Sequence, residues 1–414
     1  MLSKLMKSKF FKNSVMYTVG SMMTPLIGFI MLPVYTNYLS PAEYGTLTTV
    51  QTLIGMFQVF LVLSLQGAVT RFYYDYLNDL NKQKEYLGSI FIFVFLFSTV
   101  SAVLLVFFAQ PLGTILFSAI AITPFYYMMI GIAWLNALFA LPMSLLRAQE
   151  KASSFVIVNL LKASLIMLLS IYFIVFRGLG PESALLSQFI ISAIVVAILL
   201  IKQSQFLKLS FNFTYIKYSL IFSIPLLPHV ASGWIIKSSD RVILEKFVSL
   251  EEIGIYALAV QVSMVLSLFY QGINNALSPR YTKLRKEEKI IEADRLLNIF
   301  FWIVIACGLL SIPIAMVGAA LLSSNAYNSA IWLIPVLILG QIVKGLYFIP
   351  VAKLFYSKRT KSIATSSTIA AAVNIGINFA LIPVIGIYGA IISTLGAELV
   401  RMLLIYRASK VSNH

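Results

Sequence analysis

Apolar residues run through this chain in long unbroken blocks. About twelve recur, at roughly 13–37, 44–70, 86–108, 121–146, 153–176, 182–202, 217–241, 252–279, 296–319, 327–352, 362–384 and 386–406. Each is long enough to cross about 30 Å of hydrocarbon. Only helices and closed barrels satisfy their backbone groups in lipid, and blocks that do not alternate predict helices. The longest polar connections are about 15 residues, so no soluble domain fits between the spans. The basic N-terminus followed by an apolar run resembles a signal sequence. That run is too long and lacks a small-residue cleavage site, which predicts an uncleaved first span.

The pattern repeats. Displaced by 209 positions, the second half lies over the first: Ser40 falls on Ser249, Glu43 on Glu252, Gly45 on Gly254, Arg71 on Arg280, Gly131 on Gly340, Phe139 on Phe348 and Gly180 on Gly389. Apolar identities are cheap, so the weight rests on the rarer residues sharing one register. A polar seam at Lys202–Lys217 separates six spans from six, which predicts units over 1–209 and 210–414. An even number of spans per half makes the repeat parallel, about an axis along the membrane normal. The expected fold is all-α and polytopic: two parallel six-helix bundles around a central cleft.

Composition agrees, with 60% hydrophobic and 11% charged residues and a mean hydropathy of +0.91. The net charge of +16 follows topology. With the N-terminus placed in the cytoplasm, 25 of the 31 basic residues fall on cytoplasmic segments, beginning with Lys4, Lys7, Lys9 and Lys12. This bias places both termini inside and makes the surplus topogenic, with no nucleic-acid role. Attraction to anionic lipid headgroups is a further consequence. Cys307 is the single cysteine, so an intrachain disulfide is excluded.

The first span of each half is interrupted alike, by Pro25, Gly28 and Pro33 in one and by Pro225, Pro228 and Gly233 in the other. Proline removes a donor and kinks a helix. Paired interruptions point to a substrate site and its moving parts, which makes Pro25, Gly28, Pro225, Pro228 and Gly233 hinge candidates. Charge within a span costs about 2.5–3.5 kcal/mol and asks for a reason. His229, Gly233, Lys237 and Arg241 form one stripe, with Asp240 spaced to pair with Lys237. Asp240 and His229 are the candidates for coupling to H+ or Na+, although a single histidine beside a proline is also a common packing residue. Lys162 and Lys344 lie about ten residues deep in their spans. Arg71, Arg147 and Arg280 end spans on the cytoplasmic side, where they either anchor topology or meet an anionic headgroup. Glu398 and Arg401 are spaced to neutralise each other. Lys237, Lys162, Lys344, Arg71, Arg280 and Arg147 are therefore the candidate cavity cations. Buried acids are few and each has a basic neighbour, so the cleft suits a phosphate or carboxylate better than an organic cation.

Enzyme classes fit poorly. Two histidines, His229 and His414, cannot make a histidine metal cluster, and no Walker-type loop or paired aspartates for Mg²⁺ appear. No metal and no cofactor are expected. A glycan-polymerising or glycan-transferring enzyme would need larger external loops.

The stretch Leu32–Leu47, with Pro33, Tyr38, Ser40, Glu43 and Gly45, leads into a polar-spotted helix ending near Gly67 and Arg71. Here the chain resembles the polysaccharide repeat-unit (O-antigen type) flippases of the multidrug/oligosaccharidyl-lipid/polysaccharide exporter superfamily. Span count, length and the six-plus-six plan agree along the whole chain. The resemblance implies a V-shaped pair of bundles in a bacterial cytoplasmic (inner) membrane, alternating access, and a polyprenyl-pyrophosphate-linked oligosaccharide as cargo. It implies a cationic central cavity, onto which Lys237, Lys162 and Lys344 map by position, and a polysaccharide polymerase and chain-length regulator as partners. Drug extruders share the fold, so a cation-coupled multidrug exporter is the competing expectation. The basic cleft opposes it.

Overall fold

The computed structural model describes Met16, Gly20 and residues 25–410. The start of the expected first span, with Lys4, Lys7, Lys9 and Lys12, lies outside the described residues, as does His414. The protein is an all-α, polytopic membrane protein. Eleven helical segments among the described residues are long and apolar enough to cross a membrane, and each overlies one of the eleven later blocks.

In chain order the helices are α1 (Leu32–Tyr38), α2 (Pro41–Val62), α3 (Leu65–Phe72), α4 (Leu80–Phe107), α5 (Ala109–Leu116), α6 (Ile122–Ala148), α7 (Ala152–Ile171) and α8 (Glu182–Gln203). They continue with α9 (Phe213–Ser223), α10 (Leu227–Leu244), α11 (Leu250–Lys286), α12 (Ile290–Leu322), α13 (Ala330–Tyr356), α14 (Thr360–Ile385) and α15 (Ile387–Lys410).

The residues that match across the repeat have local work to do. Glu252 N–H donates to Ser249 Oγ at 3.2 Å while Ser249 N–H donates to Glu252 Oε2 at 3.1 Å, a capping box that starts α11. Ser40 and Glu43 do the same at the head of α2, at 2.8 and 3.3 Å. One turn in, Gly45 and Gly254 let these helix starts touch. A Cβ on Gly45 would lie 2.0 Å from Leu250 O, and one on Gly254 would lie 1.9 Å from Pro41 O. Only a residue without a side chain tolerates that approach.

Where the sequence predicts one helix over 44–70, the structure has two. Leu63 and Ser64 take left-handed conformations, with φ of 50° and 57°, and separate α2 from α3. Span 217–241 is also divided: a 3-10 turn at Ile224–Leu226, which contains Pro225 and is followed by Pro228, joins α9 to α10.

The chain forms two compact units, and their division differs from the cut at 209/210. One contains the described residues up to Gly28 and Thr49–Ala231; the other contains Phe29–Thr48 and everything described from Ser232 onward. Contacts explain the difference. In the first unit α9 is held to α4, where Tyr86 Oη and Ser219 Oγ are 3.2 Å apart, and Lys208 N–H donates to Lys84 O at 3.0 Å in the preceding connection. In the second unit Thr36 donates to Leu322 O at 3.1 Å and Tyr327 Oη to Leu39 O at 3.0 Å, which ties α1 to the end of α12. The chain passes between the units at 28/29, 48/49 and 231/232; the first and last fall at Gly28 and beside Gly233, within the two interrupted spans, and the second falls inside α2. The sequence repeat and the packing units are therefore different divisions of one chain.

Candidate functional site

The second unit encloses a cavity of about 230 Å³ between α10, α11, α13 and α15. Helical spacing builds each wall. Gly233, Ile236, Lys237 and Asp240 share one face of α10; Tyr256, Val260 and Met264 share one of α11; Gly340, Gln341 and Lys344 share one of α13; Ile391, Thr394, Leu395, Glu398 and Arg401 share one of α15. Three cations and two carboxylates line it, leaving one surplus positive charge.

The acids are engaged and two of the cations have no ion-pair partner. Asp240 accepts the Arg241 backbone N–H at 2.8 Å and the Tyr256 hydroxyl, so its expected partner Lys237 is not the group it binds. Glu398 and Arg401 do pair, at 3.2 Å, and the Arg401 guanidinium lies 3.9 Å from the centre of the Tyr347 ring. Lys344 is attracted by Glu398 and repelled by Arg401, and Lys237 feels the positive charges of Lys344 and Arg241. Neither lysine makes an ion pair within 4.0 Å among the described residues. Gln341 Oε1 is buried with no hydrogen-bond partner among the described residues. Two ammonium groups facing a small space, with the acids already engaged, have the chemistry to hold an anion.

The other candidates lie elsewhere. Lys162 is in the first unit, between α6 and α7, where Nζ donates to Asn136 Oδ1 at 3.2 Å and sits 4.0 Å from the centre of the Phe139 ring. Arg71 is exposed and pairs with Asp75 at 2.9 Å. Arg147 donates to Ser144 Oγ at 3.0 Å and lies 5.6 Å from the Phe155 ring centre. Arg280, His229, Pro25, Pro225 and Pro228 are exposed and Gly28 is half-buried; of the hinge candidates, Gly233 lines the cavity. Thus Lys237, Lys344, Asp240 and Gly233 come together, while Lys162, Arg71, Arg147, Arg280 and His229 do not join them. Tyr256, Gln341, Glu398 and Arg401 are additions to the site. Glu398 and Arg401 were visible as a pair but not as cavity wall. The available signal was Lys344, since a lysine that deep in a span asks for a carboxylate on a neighbouring helix.

Known proteins resemble the chain at two levels. The family described as "Polysaccharide biosynthesis protein" matches residues 10–285. The Lsg locus putative protein 1 of Haemophilus influenzae is 24% identical over 291 residues, covering 68% of this chain and 68% of that protein. Among solved structures, the lipid II flippase MurJ in an inward closed conformation superposes with a TM-score of 0.77 at 15% identity, over 96% of this chain and 87% of that one. An inward-facing multidrug resistance MATE family transporter of the MOP superfamily superposes with a TM-score of 0.72 at 13% identity, over 96% and 98%. At these identities the two structures establish a shared fold.

Proposed function

The chain belongs to the polysaccharide biosynthesis protein family, and from that membership we propose that it is a flippase of lipid-linked oligosaccharide. Its cargo is a repeat unit on polyprenyl pyrophosphate, carried from the inner to the outer leaflet of a bacterial cytoplasmic membrane by alternating access. Both termini face the cytoplasm in this reading, and no bond of the cargo is made or broken. The observation that carries it is the cavity of Lys237 and Lys344, cations whose nearby acids are already engaged. Its volume lies below the roughly 300–1,000 Å³ of pockets that enclose drug-sized ligands. It suits a pyrophosphate, with the sugars and lipid outside. Gln341 would add a polar contact, and Asp240 and Glu398 are the groups through which H+ or Na+ coupling would act. Driving force is available without ATP: moving an anion outward gains about 2.3 kcal/mol per charge per 100 mV, and two charges about twice that.

Deleting the protein should strand lipid-linked oligosaccharide on the inner leaflet with its synthesis intact. Lys237→Ala should abolish surface glycan at unchanged membrane levels, and Lys237→Arg should restore part of it, since charge is kept while geometry changes. Full glycan in Lys237→Ala would remove the lysine from the cargo path. A deletion strain that keeps its polysaccharide and accumulates a cationic dye identifies a drug exporter. One that never makes the lipid-linked intermediate identifies an enzyme.

A further inference from the structure

At the end of the first unit where α3 stops, aromatic rings gather from three parts of the chain. Phe72 and Tyr86 form a buried floor, with ring centres 6.3 Å apart. Tyr218, from α9, lies 4.5 Å from Phe72; Tyr76 lies 5.3 Å from Tyr86, and Tyr215 lies 5.5 Å from Tyr76. The floor and the rim differ in how their polar groups are treated. The Tyr86 hydroxyl is bonded to Ser219 inside the unit. The hydroxyls of Tyr76, Tyr215 and Tyr218 make no hydrogen bond among the described residues, and Tyr218 is 50% exposed. Next to them stands Asp75, whose side chain is 38% exposed and whose Oδ1 is held by Arg71 at 2.9 Å.

We propose that Tyr76, Tyr215, Tyr218 and Asp75 form a carbohydrate-binding site that takes the sugar portion of the cargo, separate from the cationic cavity. The proposal rests on the oligosaccharide reading above. A sugar ring offers an apolar C–H face and a rim of hydroxyls. Aromatic faces cover the first, and phenols and a carboxylate bond the second. A carboxylate accepts charge-assisted bonds from hydroxyls that a neutral acceptor makes less well. Aromatic belts at a membrane interface also contain tyrosine, and they meet phosphate headgroups. Here the acids nearest the tyrosines are offset by cations: Asp75 pairs with Arg71 and Asp79 with Lys82, and Tyr215 lies in the fields of Glu85, Lys82 and Asp79. A rim whose acids and cations offset one another suits a neutral polyhydroxyl ligand.

The test uses the full chain in nanodiscs and two probes, the lipid-free oligosaccharide released from the organism's own carrier and polyprenyl pyrophosphate without sugar. Saturation-transfer NMR should place the oligosaccharide against tyrosine protons. Tyr218→Ala and Asp75→Asn should each weaken it by about tenfold, the effect of losing about 1.4 kcal/mol, and leave the pyrophosphate affinity unchanged. Tyr218 is half exposed and Asp75→Asn is isosteric, so an unchanged melting temperature is expected for both. Pyrophosphate binding with an oligosaccharide affinity that neither variant alters overturns the site and leaves the flippase reading standing. Variants that lose affinity for anionic vesicles but not for sugar make the rim an interface belt and also overturn it. If the unaltered protein binds neither probe, both readings fall.

Discussion

The two halves of the chain start their second spans in the same way and then differ in chemistry. Both use a Ser–Glu capping box and both have a glycine one turn into the helix at a backbone contact. Yet the polar groups of the cavity have no counterparts. Displaced by 209, Lys237, Asp240, Tyr256, Gln341, Lys344, Glu398 and Arg401 fall on Gly28, Met31, Leu47, Ile132, Leu135, Phe189 and Ser192. Lys162, the buried cation of the first half, falls on Ala371. The repeat therefore specifies helices and their contacts, while the charged site was built into one copy. Symmetry of fold carries no symmetry of function here.

The largest test of this contrast is Glu398→Ala. It removes the partner of Arg401 in a nearly buried pair, side chains 6% and 18% exposed, and leaves a guanidinium beside Lys344. Breaking such pairs costs about 3–5 kcal/mol. The lower end is expected, because Arg401 keeps the Tyr347 ring. Thermal unfolding in detergent should show the loss, and Glu398→Gln should recover part of it. The matching Phe189 packs against Gly131, so Phe189→Ala should cost less. Equal losses at the two positions would mean that the pair adds nothing beyond packing.

Much of the fold was legible because lipid leaves few choices. Eleven blocks became spans, and the matched Ser40, Glu43, Ser249 and Glu252 became caps. The break at Leu63–Ser64 was not, since neither residue is a helix breaker. The division into units was not legible either: residues 213–223 follow the seam in sequence but are tied to α4 through Tyr86. For the site, spacing gave a stripe of His229, Gly233, Lys237 and Arg241 with Asp240 beside it; Gly233, Lys237 and Asp240 line the cavity, and the two ends of the stripe, His229 and Arg241, do not. The pairing of Asp240 with Tyr256 was not readable, because helix periodicity says nothing of which helix stands opposite.

A second, smaller test concerns what the halves share. Gly45→Ala and Gly254→Ala each put a Cβ about 2 Å from a carbonyl oxygen, Leu250 O in one case and Pro41 O in the other. Overpacking of this kind costs about 1–3 kcal/mol. Because the contact is reciprocal, both variants should lower the unfolding temperature by the same amount, and the double variant by less than the sum. One tolerated and one damaging substitution would show that the two capped ends are not equivalent.

The smallest effect is expected where the halves part company in backbone. Ser64 is buried and left-handed, and its hydroxyl has no partner. The corresponding stretch of α11 runs on as helix. A left-handed conformation costs a residue with a side chain about 1–2 kcal/mol, and glycine avoids that cost while removing the unbonded hydroxyl. Glycine also gives the unfolded chain more freedom, which returns about 0.4–1 kcal/mol of the gain. Ser64→Gly should therefore raise stability by about 1 kcal/mol, read as a higher unfolding temperature. A destabilised variant would mean that the Ser64 side chain, rather than the turn, holds α2 to α3. If stability rises while glycan export falls, the strained joint belongs to the transport cycle, because strain kept at a working site is relieved only at the expense of function.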